Sequence, residues 1–134
     1  LVSEALVIPM KIFGIGFSEQ EIEELRRLGL DIICIPEYCR DWVVSSIVEN
    51  TDELEGRCDW HFKKFIIMHN ASNEDIKRVI KLVKPKFKDV IFATTTETSL
   101  TWRLDDLLQE LIREDEYFKR RKLAKGPFLE FNLF

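Results

Sequence analysis

Four short runs rich in β-branched and aromatic residues alternate with segments of helical period, and this alternation constrains the fold most. The runs are KIFGIG (11–16), DIICIP (31–36), KFIIMH (64–69) and KDVIFA (88–93). After the first, Ile22, Leu25 and Leu28 recur at helical spacing until Gly29 ends the pattern. DWVVSSIVEN (41–50) supplies a second helix with Val43, Val44, Ile47 and Val48 inward. SNEDIKRVIKLVK (72–84) is a third, closed by Pro85, and a fourth starts near Thr101 and runs through DDLLQELIREDEYFKRRK. Strands joined by single helices pair in parallel through right-handed crossovers. Runs that are apolar throughout suit strands covered on both faces.

The order βαβα occurs twice, and the halves agree in detail. GFSEQEI (16–22) aligns with NASNEDI (70–76): Ser18 and Ser72 are helix caps, each followed three residues later by an acid, Glu21 or Asp75. DWVVSSIVEN aligns with TWRLDDLLQE, so Asp41 and Thr101 read as N-caps and Trp42 and Trp102 as first helical residues. The expected architecture is α/β: one domain over 1–134 built from two βαβα repeats, 11–50 and 64–114. A pseudo-twofold between them gives a mostly parallel four-stranded sheet, order 2-1-3-4, with helices on both faces. The C-terminal ends of all four strands then share one edge, where ligands of such sheets bind. Four loops meet there: GIGFS, PEYCRD, MHNAS and ATTTETSLT.

The chain has 134 residues, enough for one core, with 46% hydrophobic and 33% charged residues. A net charge of −4 argues against broad nucleic-acid binding. Three cysteines make a poor disulfide framework and suit a reducing cytoplasm. No apolar run reaches the roughly 18 residues of a membrane helix. The opening LVSEALVIPM is short and has no basic leader, and MKIFGIGF from Met10 has the form of a chain start, so 1–9 stay outside the fold argument.

The second half carries a resemblance. In 64–115 a strand leads into NASNED, a later strand enters ATTTETSLTW, and LLQEL follows. These pieces resemble the small prokaryotic family known as domain of unknown function 3783, in which a strand precedes an F-S-x-E helix start and a later strand enters a Thr-rich loop followed by Trp and L-x-E-L. Ala71 stands where that family has an aromatic, a place held in the first half by Phe17, and the loop lacks a T-P-T-N form. The resemblance implies an α/β domain and brings no activity, so no catalytic residue is transferred.

Candidate chemistry gathers at the expected ligand edge. Thr94, Thr95, Thr96, Glu97, Thr98, Ser99 and Thr101 surround a helix N-terminus, a setting that favours a small anion, or that merely ends a strand and caps a helix. Ser18 in the first loop, and His69, Asn70 and Ser72 in the third, complete the candidate ligand set. Trp42 and Trp102 read as aromatic walls or as packing over the sheet. GIGFS has Glu19 where a dinucleotide fingerprint needs its third glycine, and no cofactor is expected. Cys39, before a helix and beside Arg40, is the candidate reactive thiol. Cys58 and His61 have a ligand-like spacing, but completing a zinc set needs Cys34 from inside a strand, so no metal is expected.

The C-terminal end suggests a partner. Asp115–Lys119 and Glu116–Arg120 fall at i,i+4 spacing on a solvated helix, and KRRKLAK is a short basic run that only weakly favours a nucleic-acid accessory role. In the apolar tail, 127–134, Leu129, Phe131 and Leu133 alternate as in a strand. Such a strand must join its own sheet as an extra edge or another subunit. The function expected first is a small cytoplasmic binding or interaction module that self-associates through this tail. The alternative is an enzyme or small-anion sensor with its site at the strand ends.

Overall fold

A computed structural model describes residues 9–125 and 131–133, with side chains described through Arg121. The order is β1 (Lys11–Ile15), α1 (Glu19–Arg27), β2 (Ile32–Cys34), α2 (Val44–Glu49), β3 (Phe65–His69), α3 (Asn73–Val83), β4 (Ile91–Thr94), α4 (Leu104–Lys125) and β5 (Phe131–Leu133). The facing of Leu129, Phe131 and Leu133 lies outside the described residues. Among the described residues no helix is long and apolar enough to cross a membrane.

The sheet order is β2-β1-β3-β4-β5, which contains the expected 2-1-3-4 and adds β5 beside β4. The sheet is mixed, however, and not mostly parallel. β1 pairs in parallel with β2, and β3 with β4, but β1 and β3 run antiparallel with Lys11 opposite His69 and Ile15 opposite Phe65. Crossover handedness accounts for the difference. In an all-parallel 2-1-3-4 sheet, right-handed crossovers to left and right would place α1 and α3 on opposite faces. Here Ile22 and Leu25 of α1 share one buried cluster with Ile76, Val79 and Val83 of α3. With both helices on one face, right-handed crossovers require the two halves to run in opposite directions.

Strand alternation divides the core between two faces. Ile12, Ile32, Ile66, Met68 and Phe92 point to α1 and α3. Phe13, Ile15, Phe65, Ile67, Ile91 and Ala93 point to α2 and α4, where Val44, Ile47, Leu104, Leu107, Leu108 and Leu111 cover them. Helices thus cover both faces, as the continuously apolar strands require.

Both serine caps form full capping boxes. The Glu21 amide donates to Ser18 Oγ at 3.2 Å and the Ser18 amide to Glu21 Oε1 at 2.8 Å; both counterpart distances for Ser72 and Asp75 are 3.1 Å. Two residues before each serine the backbone turns left-handed, at Gly16 (φ 87°) and at Asn70 (φ 59°). Asn tolerates this region better than most side chains, so the second half dispenses with glycine there.

The other two helices start later than their sequences suggest. Trp42 and Trp102 have extended backbones and close 3-10 segments at Glu37–Asp41 and Ser99–Thr101. Asp41 and Thr101 are therefore not N-caps. Instead the Val44 amide donates to the Trp102 carbonyl at 2.8 Å, and the Leu104 amide to the Trp42 carbonyl at 2.9 Å. The two helix starts cap each other through backbone, and this reciprocal bridge satisfies donors that a side chain would otherwise serve. Val43, expected inward, is 38% exposed because it lies in the bridge ahead of α2.

Candidate functional site

Because β1 and β3 are antiparallel, the four loops do not share an edge. The loops after β1 and β2, with Ser18 and Cys39, lie at one end of the sheet. Those after β3 and β4, with His69, Asn70, Ser72 and Thr94 to Thr98, lie at the other. The single four-loop site expected from a parallel sheet is not assembled.

At the second end the strands bring His69 and Thr95 together. Thr95 is placed by its amide, which donates to the Met68 carbonyl at 2.9 Å. His69 Nδ1 and Thr95 Oγ1 are then 2.8 Å apart. Partial burial lowers the His69 pKa, and the Lys11 cation opposite it on β1 adds to the effect. Both effects favour the neutral imidazole. Lys11 itself donates to the Val48 carbonyl at 2.9 Å and to Thr51 Oγ1 at 3.2 Å.

Most loop hydroxyls are turned to internal bonds. The Thr96 amide donates to Ser99 Oγ at 2.9 Å, the Ser99 amide donates to Thr96 Oγ1 at 3.2 Å, and Ser99 is fully buried. Thr101 Oγ1 donates to the Thr98 carbonyl at 2.7 Å. Ser72 is occupied as a cap. Thr94 is half-buried at the end of β4, whereas Glu97 and Thr98 are exposed. The threonine run therefore builds its own turn, and only its outer rim faces water. Trp42 and Trp102 are half-buried against the α2/α4 core, in the packing role.

At the first end the expected reactive thiol is not reactive in form. Cys39 is fully buried within its 3-10 segment, and burial pushes its pKa up to about 11. Arg40, invoked to activate it, pairs instead with Asp105 at 3.2 Å and Glu37 at 3.5 Å. Cys39 also packs on the α2/α4 face, whereas Cys58 and Cys34 belong to the α1/α3 face. His61 is turned elsewhere: its Nδ1 accepts from the Lys63 amide at 2.9 Å and its ring stacks on Phe62. Among the described residues no group of three or more His, Cys, Asp and Glu side chains could hold a metal ion.

Sequence reasoning missed one juxtaposition. Cys34, at the end of β2, and Cys58, in the connection to β3, line one cavity of about 570 Å³ together with Arg26 and Arg57. The connection is the long polar stretch 50–63, whose composition shows no period and so gave no sign of where Cys58 would land. A hydrophobic Cys34 ending an edge strand was the available hint.

Residues 64–118 match the family model described as "Domain of unknown function (DUF3783)". The DUF3783 segment therefore runs from the start of β3 into α4, and it contains the His69–Thr95 pair and the threonine turn. The preceding βαβα half, with Cys34 and Cys39, and the connection that carries Cys58 lie outside the match. No curated protein matches the chain, and no solved structure does.

Proposed function

We propose that the protein is a small interaction module that associates with a second copy of itself through its C-terminal segment. The observation that carries this reading is the length of α4. Its 22 residues span about 33 Å, while the strands it covers have three to five residues and so reach about 17 Å at most. Among the described residues its fully buried positions end at Leu111, and beyond them Tyr117 is 52% and Phe118 38% exposed. Two neighbouring aromatics on a projecting helix end are the composition of an interaction surface. β5 lies in parallel beside β4, a pairing that the same strand of a second copy can equally make.

The paired capping boxes, the left-handed backbone at Gly16 and Asn70, and the reciprocal Trp42/Trp102 bridge support a reading of 11–50 and 64–114 as copies of one unit within a single domain. On that reading the projecting part of α4 and β5 are additions to the second copy, which is where a specific role would be placed.

Sedimentation velocity over a wide concentration range tests the association. A concentration-dependent dimer that is lost on deleting residues 127–134, or in a Tyr117→Lys/Phe118→Lys variant, is the expected result. A monomer at every concentration, unchanged by either alteration, would overturn it. The alternative of a small-anion sensor is supported only by the rim of the threonine turn and by His69. Titration with inorganic phosphate, followed by the His69 imidazole NMR signals, would revive it if those signals moved saturably.

A further inference from the structure

We propose that Cys34 and Cys58 are a redox-active pair, which a small hydroperoxide converts to an intramolecular disulfide. The fold brings together two cysteines 24 positions apart in the chain. Cys34 ends β2, the edge strand, in register with Gly14 of β1. Cys58 is fixed by its backbone, whose carbonyl accepts from the Gly16 amide, and by its thiol, which donates to the Phe17 carbonyl at 3.7 Å. Both line the same cleft, Cys34 half-buried and Cys58 buried.

The surroundings give the two sulfurs different roles. The contact between the two thiols lowers the pKa of Cys34 and raises that of Cys58, with burial adding to the rise at Cys58, which favours Cys34 as the thiolate and Cys58 as the thiol. The Arg26 guanidinium, held at the Ile32 carbonyl at 2.9 Å, places a positive charge on the Cys34 side. Cys34 is thus the attacking group, and Cys58 the buried partner that resolves the product. The cleft is polar, lined by Glu19, Glu23 and Asp31 as well as Arg26 and Arg57, and Arg57 is paired with Asp59 at 3.0 Å. Arg26 is therefore the guanidinium placed to stabilise the oxygen that leaves with negative charge.

The chemistry balances with the hydroperoxide as sole oxidant. The Cys34 thiolate attacks the terminal peroxide oxygen, the O–O bond breaks, and the alkoxide takes the proton that Cys34 had released, leaving as alcohol (or water, from hydrogen peroxide). Cys34 is now a sulfenic acid. The Cys58 sulfur attacks it, the S–O bond breaks, and hydroxide leaves with the Cys58 proton as water. Two thiols lose two electrons to the peroxide, and a Cys34–Cys58 disulfide results. The bond ties the edge strand to the 54–58 segment that covers it.

The test uses the reduced full-length chain, hydrogen peroxide as probe, and non-reducing peptide mapping by mass spectrometry with alkylation of the remaining thiols. Expected are a peptide linked through Cys34 and Cys58, a loss of two hydrogens from the intact mass, and an unreacted Cys39. Cys34 is expected to react at least about tenfold faster than Cys39. In Cys58→Ser the sulfenic acid on Cys34 persists and is trapped by dimedone, while Cys39→Ser forms the disulfide like the natural chain. Oxidation of the unaltered chain that yields no Cys34–Cys58 link, or that modifies Cys39 as fast as Cys34, would overturn the proposal without reliance on any variant's folding.

Discussion

Replacing Gly16 by alanine should be among the most damaging single-methyl additions to this chain. At φ 87° the residue is in the region that L side chains avoid, a cost of about 1–2 kcal/mol for alanine. Steric overlap costs more. An added Cβ would lie 1.9 Å from the Lys63 carbonyl oxygen and 2.8 Å from its carbon, so the backbone entering β3 must retreat by roughly 1 Å to reach even a tight contact. That backbone is tied on both sides. The Gly16 amide donates to the Cys58 carbonyl, and the Lys64 carbonyl accepts from the Ile91 amide at 2.9 Å. Weakening one or both of these adds about 1–3 kcal/mol for each buried group left unpaired. The expected loss is about 4 kcal/mol, a large part of a small domain's stability. Gly29→Ala is the internal control: φ is 93°, but no atom lies within 4 Å of the added carbon, so only the conformational cost of about 1–2 kcal/mol applies. Urea unfolding followed by tryptophan fluorescence measures both. If Gly16→Ala proves no more destabilising than Gly29→Ala, the close packing of the first loop on the β3 entry is wrong.

Three further outcomes follow from the same geometry. Ser18→Ala and Ser72→Ala should each cost about 1 kcal/mol in urea unfolding, because each removes the hydroxyl half of a formed capping box. Leu108→Ala, at a fully buried position under the sheet, should cost about 2–5 kcal/mol, whereas Phe62→Ala, 83% exposed, should stay within about 0.5 kcal/mol by the same measurement. Both histidines have pKa values lowered chiefly by burial, from an ordinary 6.5. The unfolded chain therefore binds more protons below that pH, so stability is fully present above about 6.5 and is lost as pH falls through the folded values. Urea midpoints at pH 7.5 and 5.5 should show this fall, and a His61→Gln/His69→Gln double variant should flatten it.

The elements were legible because each carries its own local signal. Short apolar, β-branched runs and helical patterns located the four strands and four helices, and the S-x-x-E and S-x-x-D pairs located two N-termini as capping boxes. Strand order was legible too, since like halves joined by single helices place β1 beside β3. Strand direction was not. The long passage between β2 and β3 admits either direction, and the deciding fact is which face α1 and α3 occupy. The amphipathic stripe of each helix says that it is covered, without saying on which side of the sheet. The same gap misplaced the starts of α2 and α4. Asp41 and Thr101 have capping side chains, but the amides of Val44 and Leu104 are satisfied by carbonyls distant in sequence, those of Trp102 and Trp42, and no local pattern records such a bond.

The candidate site suffered directly from this loss of direction. A parallel sheet would have set Ser18, Cys39, His69 and the threonines on one rim; reversing half of it separates Ser18 and Cys39 from His69 and the threonines, while His69 and Thr95 remain in contact. Cys39 then shows how local reasoning about a thiol can invert. Its neighbours in sequence, a helix start and Arg40, favour a thiolate, yet Arg40 turns to Asp105 and the sulfur enters the core. Cys34 inverts the other way. An apolar strand suggests inert packing, but β2 is only three residues long and lies at the sheet edge, so its last residue opens into a cleft. What separates the two cysteines is the end of an edge strand against the middle of a covered turn. That distinction becomes readable only once the sheet order is known, and it places the more reactive thiol in the half of the chain that precedes the DUF3783 segment.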